Sequence, residues 1–254
     1  MKNARLLFIF LSVTTGYAQL KPVTYSDGAQ KLNSLVIAPG TAAASKPGVL
    51  ILPAWKGITA HEKESATALS KLGYFALIAD IYGAGNYPQG SKAAGALSGT
   101  YKKNYGDYQR RIQLALNQLI AAGAASDNIV AIGYCFGGTG ALEAARGGLA
   151  LQGVVSIHGG LGKDSARPNV ALNPKVLILH GADDPYVPQA DIIAVQQELR
   201  DGNADWQMIY YSDAVHAFTE KTAGTDKSKG AAYNESAAKR SWQHLQLFLK
   251  EVLK

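Results

Sequence analysis

The chain has 254 residues, of which 47% are hydrophobic and 17% are charged, with one cysteine and a formal net charge of +6. This length suffices for one large α/β domain with a sizeable core, and a single cysteine excludes an internal disulfide. The lysines are scattered rather than arranged in a stripe, which favours a solvated surface over a face that binds nucleic acid.

Residues 1–18 have the pattern of an export signal. Lys2 and Arg5 precede an apolar run over residues 6–13, and small residues at 16 and 18 provide a cleavage site. The apolar run is too short to span a bilayer. We therefore predict cleavage after Ala18, a periplasmic or secreted protein, and no stable membrane anchor. The mature chain, residues 19–254, is predicted to form a single domain with a net charge of +4, which is +6 less the two charges of Lys2 and Arg5.

From residue 30 onward, short apolar runs alternate with amphipathic segments. The pattern predicts strands over 34–38, 48–53, 74–80, 128–132, 153–158, 175–180 and 206–211, and helices over 60–72, 107–122, 139–146, 190–199 and 237–253. Residues 83–105, rich in Gly, Ala and Ser at their start, are predicted to form a long loop or a partly helical excursion. Because apolar strands separated by helices favour parallel pairing, we predict an α/β fold with a mainly parallel sheet and helices on both faces.

The run Gly133-Tyr134-Cys135-Phe136-Gly137-Gly138 lies between a predicted strand and a predicted helix. This is the setting of a nucleophile elbow, in which glycines permit a turn too tight for side chains beside the nucleophile. The following helix N-terminus favours negative charge there. Cys135 is therefore the candidate nucleophile, although a free cysteine is also common as a buried core residue.

A thiol nucleophile needs a base and a group that orients the base. His216 alone among the five histidines lies in a loop between the last strand and the last helix, where this fold places its base. His61 is predicted at the surface. His158 and His180 end strands, a position more typical of structural residues, and His244 lies inside the last helix. For the acid, Asp184 is favoured because Pro185 fixes its direction. Asp183 is the second choice, because an aspartate there is also explained as a turn residue.

Two backbone N–H groups are expected to form an oxyanion hole. One belongs to Phe136, which follows the nucleophile. The other comes from the turn Pro53-Ala54-Trp55-Lys56-Gly57, where Trp55 is the preferred donor and Lys56 the second choice. Candidate pocket residues in the same motifs are Tyr82, Tyr134, Tyr186 and Phe218, and the loop tyrosines Tyr87, Tyr101 and Tyr105 are expected to cover the pocket.

The cysteine elbow, the run His180-Gly181-Ala182-Asp183-Asp184-Pro185-Tyr186-Val187-Pro188 and the segment Tyr211 to Phe218 together resemble the dienelactone hydrolase family of α/β-hydrolases. The resemblance covers nearly all of the mature chain. It implies hydrolysis of a carboxylic ester or lactone by a triad of Cys135, His216 and Asp184, through an acyl-thioenzyme. The substrate it implies is a small molecule. It implies no cofactor and no metal ion.

Three positions depart from the family pattern. Ala54 stands where well-known members have a glutamate that contacts the thiol, and Gly83 to Gly85 and Glu220 stand where they have arginines that hold a carboxylate. We therefore expect neutral short-chain substrates rather than dienelactone, and a direct pairing of Cys135 with His216. The alternatives are a non-catalytic binding protein that retains the fold and a redox-active thiol protein, although the chain offers no second cysteine to resolve a sulfenic acid.

Overall fold

The structure, a computed structural model, describes residues 19–41 and 43–254. The predicted export signal lies outside the described residues. In chain order, the elements are β1 (Lys21–Asp27), β2 (Gln30–Ile37), β3 (Gly48–Leu52), α1 (Ala60–Lys71), β4 (Phe75–Ile78), α2 (Gly90–Lys103), α3 (Tyr105–Ala121), β5 (Ile129–Tyr134), α4 (Phe136–Arg146), β6 (Gly153–Ile157), β7 (Lys175–Gly181), α5 (Gln189–Asp201), β8 (Trp206–Tyr211), and α6 (Glu235–Val252). Two short 3-10 helices, Lys221–Ala223 and Lys227–Lys229, lie between β8 and α6.

The strands form one sheet of eight strands in the order β1-β2-β4-β3-β5-β6-β7-β8. β1 pairs with β2, and β2 with β4, in antiparallel fashion, and every later pair is parallel. The central strands β3, β5 and β6 are buried along their whole length, as expected for parallel strands covered on both faces. The carboxyl ends of the parallel strands therefore meet at one edge of the sheet, where this fold binds ligands.

Helices cover both faces of the sheet. On one face, the core includes Tyr108 of α3, Ala141 of α4 and Val195 of α5. On the other face, it includes Leu69 of α1 and Leu249 of α6. The predicted mainly parallel sheet with helices on both faces is confirmed.

The largest difference from the sequence prediction is at the start of the sheet. β1 was not predicted, and β2 begins at Gln30 rather than at residue 34. The two strands form a hairpin in which Asp27 pairs with Gln30 across a two-residue turn, and Gly28 adopts the positive φ of 57° that such turns favour. The alternation of Val23 and Tyr25 with the polar Thr24 and Ser26 is the sequence signal that could have revealed β1.

Two helices near the site also differ from the prediction. The excursion over 83–105 contains the helix α2, and α3 then begins at Tyr105 rather than at residue 107. α4 begins at Phe136, directly after Cys135, rather than at residue 139. The nucleophile candidate is thus the N-cap residue of α4, and the first free amides of the helix lie immediately beside its thiol.

Candidate active site

The turn between β5 and α4 holds Cys135 in a backbone conformation that few residues other than glycine adopt, with φ 53° and ψ −112°. The residues two positions before and two positions after Cys135 must be glycine, because there is no space for a side chain at either one. A Cβ on Gly133 would overlap the carbonyl of Gly137, and a Cβ on Gly137 would overlap the carbonyl of Leu52. The close approach of α4 to the ends of β3 and β5 therefore requires both glycines, as the sequence pattern predicts for an elbow.

The structure brings Cys135, His216 and Asp184 together. His216 Nε2 lies 3.0 Å from Cys135 Sγ, and His216 Nδ1 lies 2.8 Å from Asp184 Oδ2. Asp184 has a fully buried side chain, and its other oxygen accepts a hydrogen bond from the Tyr186 amide at 2.9 Å. Asp183 is exposed, so Asp184 is the aspartate within reach of His216.

The loop that carries His216 is held by backbone hydrogen bonds to the chain before α6. The His216 amide donates to Gly230 O at 3.2 Å, and the His216 carbonyl accepts from Ala232 at 3.0 Å. Burial by itself lowers the pKa of His216, but hydrogen bonds to Asp184 and Cys135, together with their charges, outweigh burial and raise it to about 10. A protonated His216 places a positive charge against the thiol sulfur.

Two backbone amides near Cys135 are unpaired. Among the described residues, neither Phe136 N nor Trp55 N donates a hydrogen bond. The peptide unit that carries the Trp55 N–H is fixed through its other end, because Ala54 O accepts from the Gly57 amide at 2.9 Å. The Tyr82 hydroxyl donates to Trp55 O at 2.8 Å and fixes the next peptide unit. Within the described residues, both predicted oxyanion donors therefore lack an acceptor.

Glu62 organises this turn and was missed by the sequence analysis. Its fully buried carboxylate accepts hydrogen bonds from the Ala54 amide at 3.2 Å and from the Thr59 amide at 2.8 Å. The Thr59 hydroxyl donates to it as well, at 2.6 Å. The spacing of Thr59 and Glu62 is that of a capping box, which was the available signal. Glu62 therefore ties the N-terminus of α1 to the turn that carries Trp55.

A cavity of about 550 Å³ opens over Cys135 and His216. Small and apolar side chains and the ring of Trp55 form much of its wall, and α2 contributes Gly95, Ser98 and Gly99. The charged residues that line it are Lys56, Lys102 and Glu220. The predicted covering segment over 83–105 thus contributes through α2, whereas Tyr87, Tyr101 and Tyr105 are not among the lining residues.

Of the four candidate pocket residues, the structure places only Tyr186 on the wall of this cavity. Tyr186 is 59% exposed, and its ring meets that of His216 edge-on at 5.4 Å. Tyr82 stacks on Phe136 behind the wall. Phe218 is fully buried in the core. Tyr134 points to the opposite face of the sheet and lines a second cavity between α1 and α6.

The structure corrects one histidine assignment. His61, predicted at the surface, is half-buried, packs edge-on against Tyr134 with ring centroids 4.5 Å apart, and contacts Thr219. His180 is buried against Tyr210, and His244 is bonded to the Tyr211 hydroxyl at 2.8 Å. His180 thus lies at the end of β7, and His244 lies inside α6, as the sequence predicts.

Glu220 is a partly buried acid on the cavity wall. Burial and the neighbouring charge of Glu62 raise the pKa of Glu220 to about 7, whereas the charges of His216 and Lys56 act in the opposite direction. Its charge therefore changes within the range of ordinary assay buffers. A carboxylate on a ligand close to the ionised form of Glu220 would be repelled.

In the part of the chain that the structure describes, no helix combines the length and hydropathy needed to cross a membrane. Over residues 19–41 and 43–254 there is also no group of three or more side chains of the kinds that hold a metal ion.

Comparisons with known proteins show what the chain is similar to. A family model described as "Dienelactone hydrolase family" matches residues 32–253. A crystal structure of a dienelactone hydrolase-like promiscuous phosphotriesterase from metagenomic libraries is 34% identical, with a TM-score of 0.88 and coverage of 94% of this chain and 100% of that chain.

Two further likenesses extend the comparison. A dienelactone hydrolase structure from Anabaena variabilis shows the same fold at 19% identity, with a TM-score of 0.64 and coverage of 94% of this chain and 100% of that chain. A Bradyrhizobium protein described as "Probable 2-oxo-3-(5-oxofuran-2-ylidene)propanoate lactonase" is 26% identical over 214 residues, which are 80% of this chain and 83% of that protein. The predicted α/β-hydrolase fold is confirmed.

Proposed function

Since the chain belongs to the dienelactone hydrolase family, we propose that it cleaves its substrate with a Cys135–His216–Asp184 triad through an acyl-thioenzyme. Membership of the family makes the chain an ester or lactone hydrolase. The observation that carries the finer proposal is the unbroken contact from Asp184 Oδ2 through His216 to Cys135 Sγ, at 2.8 and 3.0 Å. This is the geometry of a nucleophile, a base and a group that orients the base.

In the first half of the reaction, the Cys135 thiolate attacks the substrate carbonyl and forms a C–S bond. The carbonyl electrons move to oxygen, and the resulting oxyanion accepts hydrogen bonds from the amides of Phe136 and Trp55. When the oxyanion collapses, the C–O bond to the leaving group breaks, and protonated His216 gives its Nε2 proton to the departing oxygen. In a lactone, that oxygen remains tethered to the acyl group.

In the second half, His216 accepts a proton from a water molecule, whose oxygen attacks the thioester carbonyl. The C–S bond breaks, the carboxylic acid leaves, and Cys135 returns to the thiolate beside protonated His216. Asp184 holds the His216 ring through Nδ1 so that Nε2 faces the sulfur throughout. The N-terminus of α4 stabilises the negative charge on both the sulfur and the oxyanion.

The cavity favours neutral substrates with short acyl chains. Its wall is mostly small and apolar, and Glu220 stands where a carboxylate-binding arginine is expected from the resemblance. A panel of p-nitrophenyl esters and lactones that differ in acyl length and charge tests this choice. It includes a neutral phosphotriester, because the similar metagenomic protein is described as a phosphotriesterase. A marked preference for dicarboxylates would overturn the expectation of neutral substrates.

The nucleophile is tested by Cys135→Ala. We expect turnover of p-nitrophenyl acetate to fall by about 10⁴-fold or more, because the triad works as a unit. Ser91→Ala is the matched control, since Ser91 is an exposed hydroxyl on α2 that does not line the cavity, and it should keep the parent rate. Mass spectrometry of a rapidly quenched reaction should find the acyl group on Cys135. Unchanged turnover in Cys135→Ala would refute Cys135 as the nucleophile and indicate another one. Absence of turnover by the parent over the whole panel would instead favour the binding-protein alternative.

The resting ion pair is tested by the rate of alkylation with iodoacetamide as a function of pH. A thiolate held beside protonated His216 reacts well below the pH at which a free thiol ionises, about 8.5. A rate that stays low until that pH would contradict the ion pair. Peroxide consumption measured on the same samples separates hydrolysis from the redox-active alternative.

A further inference from the structure

His158 directly follows β6 and contacts the backbone of the nucleophile candidate, Cys135. Its ring is fully buried, and its Nδ1 accepts a hydrogen bond from the Cys135 amide at 3.2 Å. A backbone amide can only donate, so Nδ1 carries no proton, and the ring proton must be on Nε2. The contact with Cys135 therefore determines the tautomer of His158.

The opposite side of the ring continues the chain of hydrogen bonds. His158 Nε2 lies 2.8 Å from Thr219 Oγ1, and the direction set by Cys135 makes His158 the donor. The Thr219 hydroxyl keeps its own proton to donate, and His61 Nε2 lies 3.3 Å away. Burial lowers the pKa of His61, which leaves that nitrogen able to accept. The bonds thus run in one direction from the nucleophile to α1.

This series of hydrogen bonds requires a neutral His158 ring. Burial lowers the pKa of His158 well below its ordinary value, and the charge of nearby His216 lowers it further. The two rings meet edge-on with centroids 5.5 Å apart. A proton on Nδ1 would face the Cys135 amide, with two donors opposed and no acceptor between them. The ring is therefore an acceptor toward Cys135 at the pH values where the enzyme would work.

The backbone at Cys135 needs such support. Both residues of this hydrogen bond have a positive φ, which is 53° for Cys135 and 40° for His158. Residues held in such regions persist only where their surroundings fix them. The Cys135 amide also donates to Ile157 O at 3.0 Å, so two acceptors from the end of β6 hold one N–H. A rotation of that peptide unit would displace both Sγ and the amide of Phe136.

We propose that His158 and Thr219 form a positioning pair for the nucleophile, in which the Thr219 hydroxyl holds the His158 ring and the ring holds the Cys135 amide. The expected effect on kcat rests on the proposed function, whereas the positioning of Cys135 does not. Neither residue lines the cavity over Cys135, so both act through Cys135 rather than on the substrate.

Thr219→Val and Thr219→Ser test the pair. Valine keeps the shape of threonine but leaves the His158 Nε2–H without its acceptor, and serine keeps the hydroxyl. We expect Thr219→Val to lower kcat for p-nitrophenyl acetate and the rate of Cys135 alkylation by about 10- to 100-fold, with KM unchanged. Thr219→Ser should restore both rates. Ser65→Ala is the control, because Ser65 bonds Tyr134 in the second cavity and lies outside the chain.

The His158 end is tested by His158→Asn and His158→Gly. Both residues tolerate a positive φ, but only asparagine offers an oxygen to the Cys135 amide. We expect asparagine to retain most of the alkylation rate and glycine to lose it, with urea unfolding used to show that both variants fold. Equal rates in the two variants would overturn the proposal.

A direct readout is the ¹⁵N NMR spectrum of the His158 ring in the unmodified protein. We expect a bare Nδ1 and a protonated Nε2 between about pH 6 and pH 9, and a proton on Nδ1 would overturn the assignment. If the protein hydrolyses no ester in the panel, the proposed function fails, whereas alkylation and NMR still decide the positioning role.

Discussion

The carboxyl group of Glu220 makes the stability of the fold depend on pH. Burial and Glu62 raise the pKa of Glu220 from an ordinary 4.5 to about 7. Between these pH values the folded protein holds the proton that the unfolded chain releases, so the folded state binds more protons. The contribution of this group to stability is therefore fully present below pH 4.5, falls as the pH rises, and is lost once the pH passes about 7.

The size of the effect follows from that difference. The values 7 and 4.5 differ by about 2.5, and one pKa unit is worth about 1.4 kcal/mol. Ionising Glu220 thus costs the folded state at most about 3.5 kcal/mol, and the partial contact of its side chain with water reduces this value. Glu220→Gln has the shape of the protonated acid and cannot ionise. We expect its free energy of unfolding, relative to the parent, to rise by about 2–3 kcal/mol between about pH 5 and about pH 8.

Urea unfolding of both proteins at the two pH values measures this change. Glu64→Gln is the matched control, because it removes an exposed glutamate on α1, and it should follow the parent at both pH values. A difference between Glu220→Gln and the parent that is the same at both pH values would refute the argument. In that case Glu220 would be ionised in the folded state without penalty, through solvent contact or a cation such as Lys56.

Two further predictions concern the triad and the elbow. Asp184→Asn should lower kcat/KM for p-nitrophenyl acetate by about 10³- to 10⁴-fold, because the His216 ring loses its orienting charge. Asp183→Asn, at the exposed neighbour, should keep the parent value, and equal losses would contradict the choice of Asp184. Gly137→Ala should destabilise the fold by about 3 kcal/mol or more in urea unfolding, because its Cβ would overlap the carbonyl of Leu52. Gly106→Ala, whose Cβ meets nothing within 4 Å in helix α3, should stabilise it by about 0.5–1 kcal/mol, and similar unfolding midpoints for both variants would exclude a steric role for Gly137.

The sequence alone determined the features that local physics dictates. Apolar runs and amphipathic periods predicted the parallel strands and their helices, because each segment must match its own burial pattern. Glycines on both sides of Cys135 predicted the elbow, since only a residue without a side chain fits that turn. The position of His216 after β8 and of Asp184 after β7 predicted which groups the sheet would bring to Cys135, because parallel strands end at one edge.

Only the tertiary structure decided which faces and which distant atoms meet. Tyr134 lies beside Cys135 in the chain, yet as the last residue of β5 it shares the face of Val130 and Ile132, because successive side chains of a strand alternate. Glu62, His158 and Thr219 reach the site through hydrogen bonds to backbone amides or through one another. A backbone donor leaves no trace in the residue type that carries it, so sequence patterns identified the reacting side chains and missed the polar groups that hold them in place.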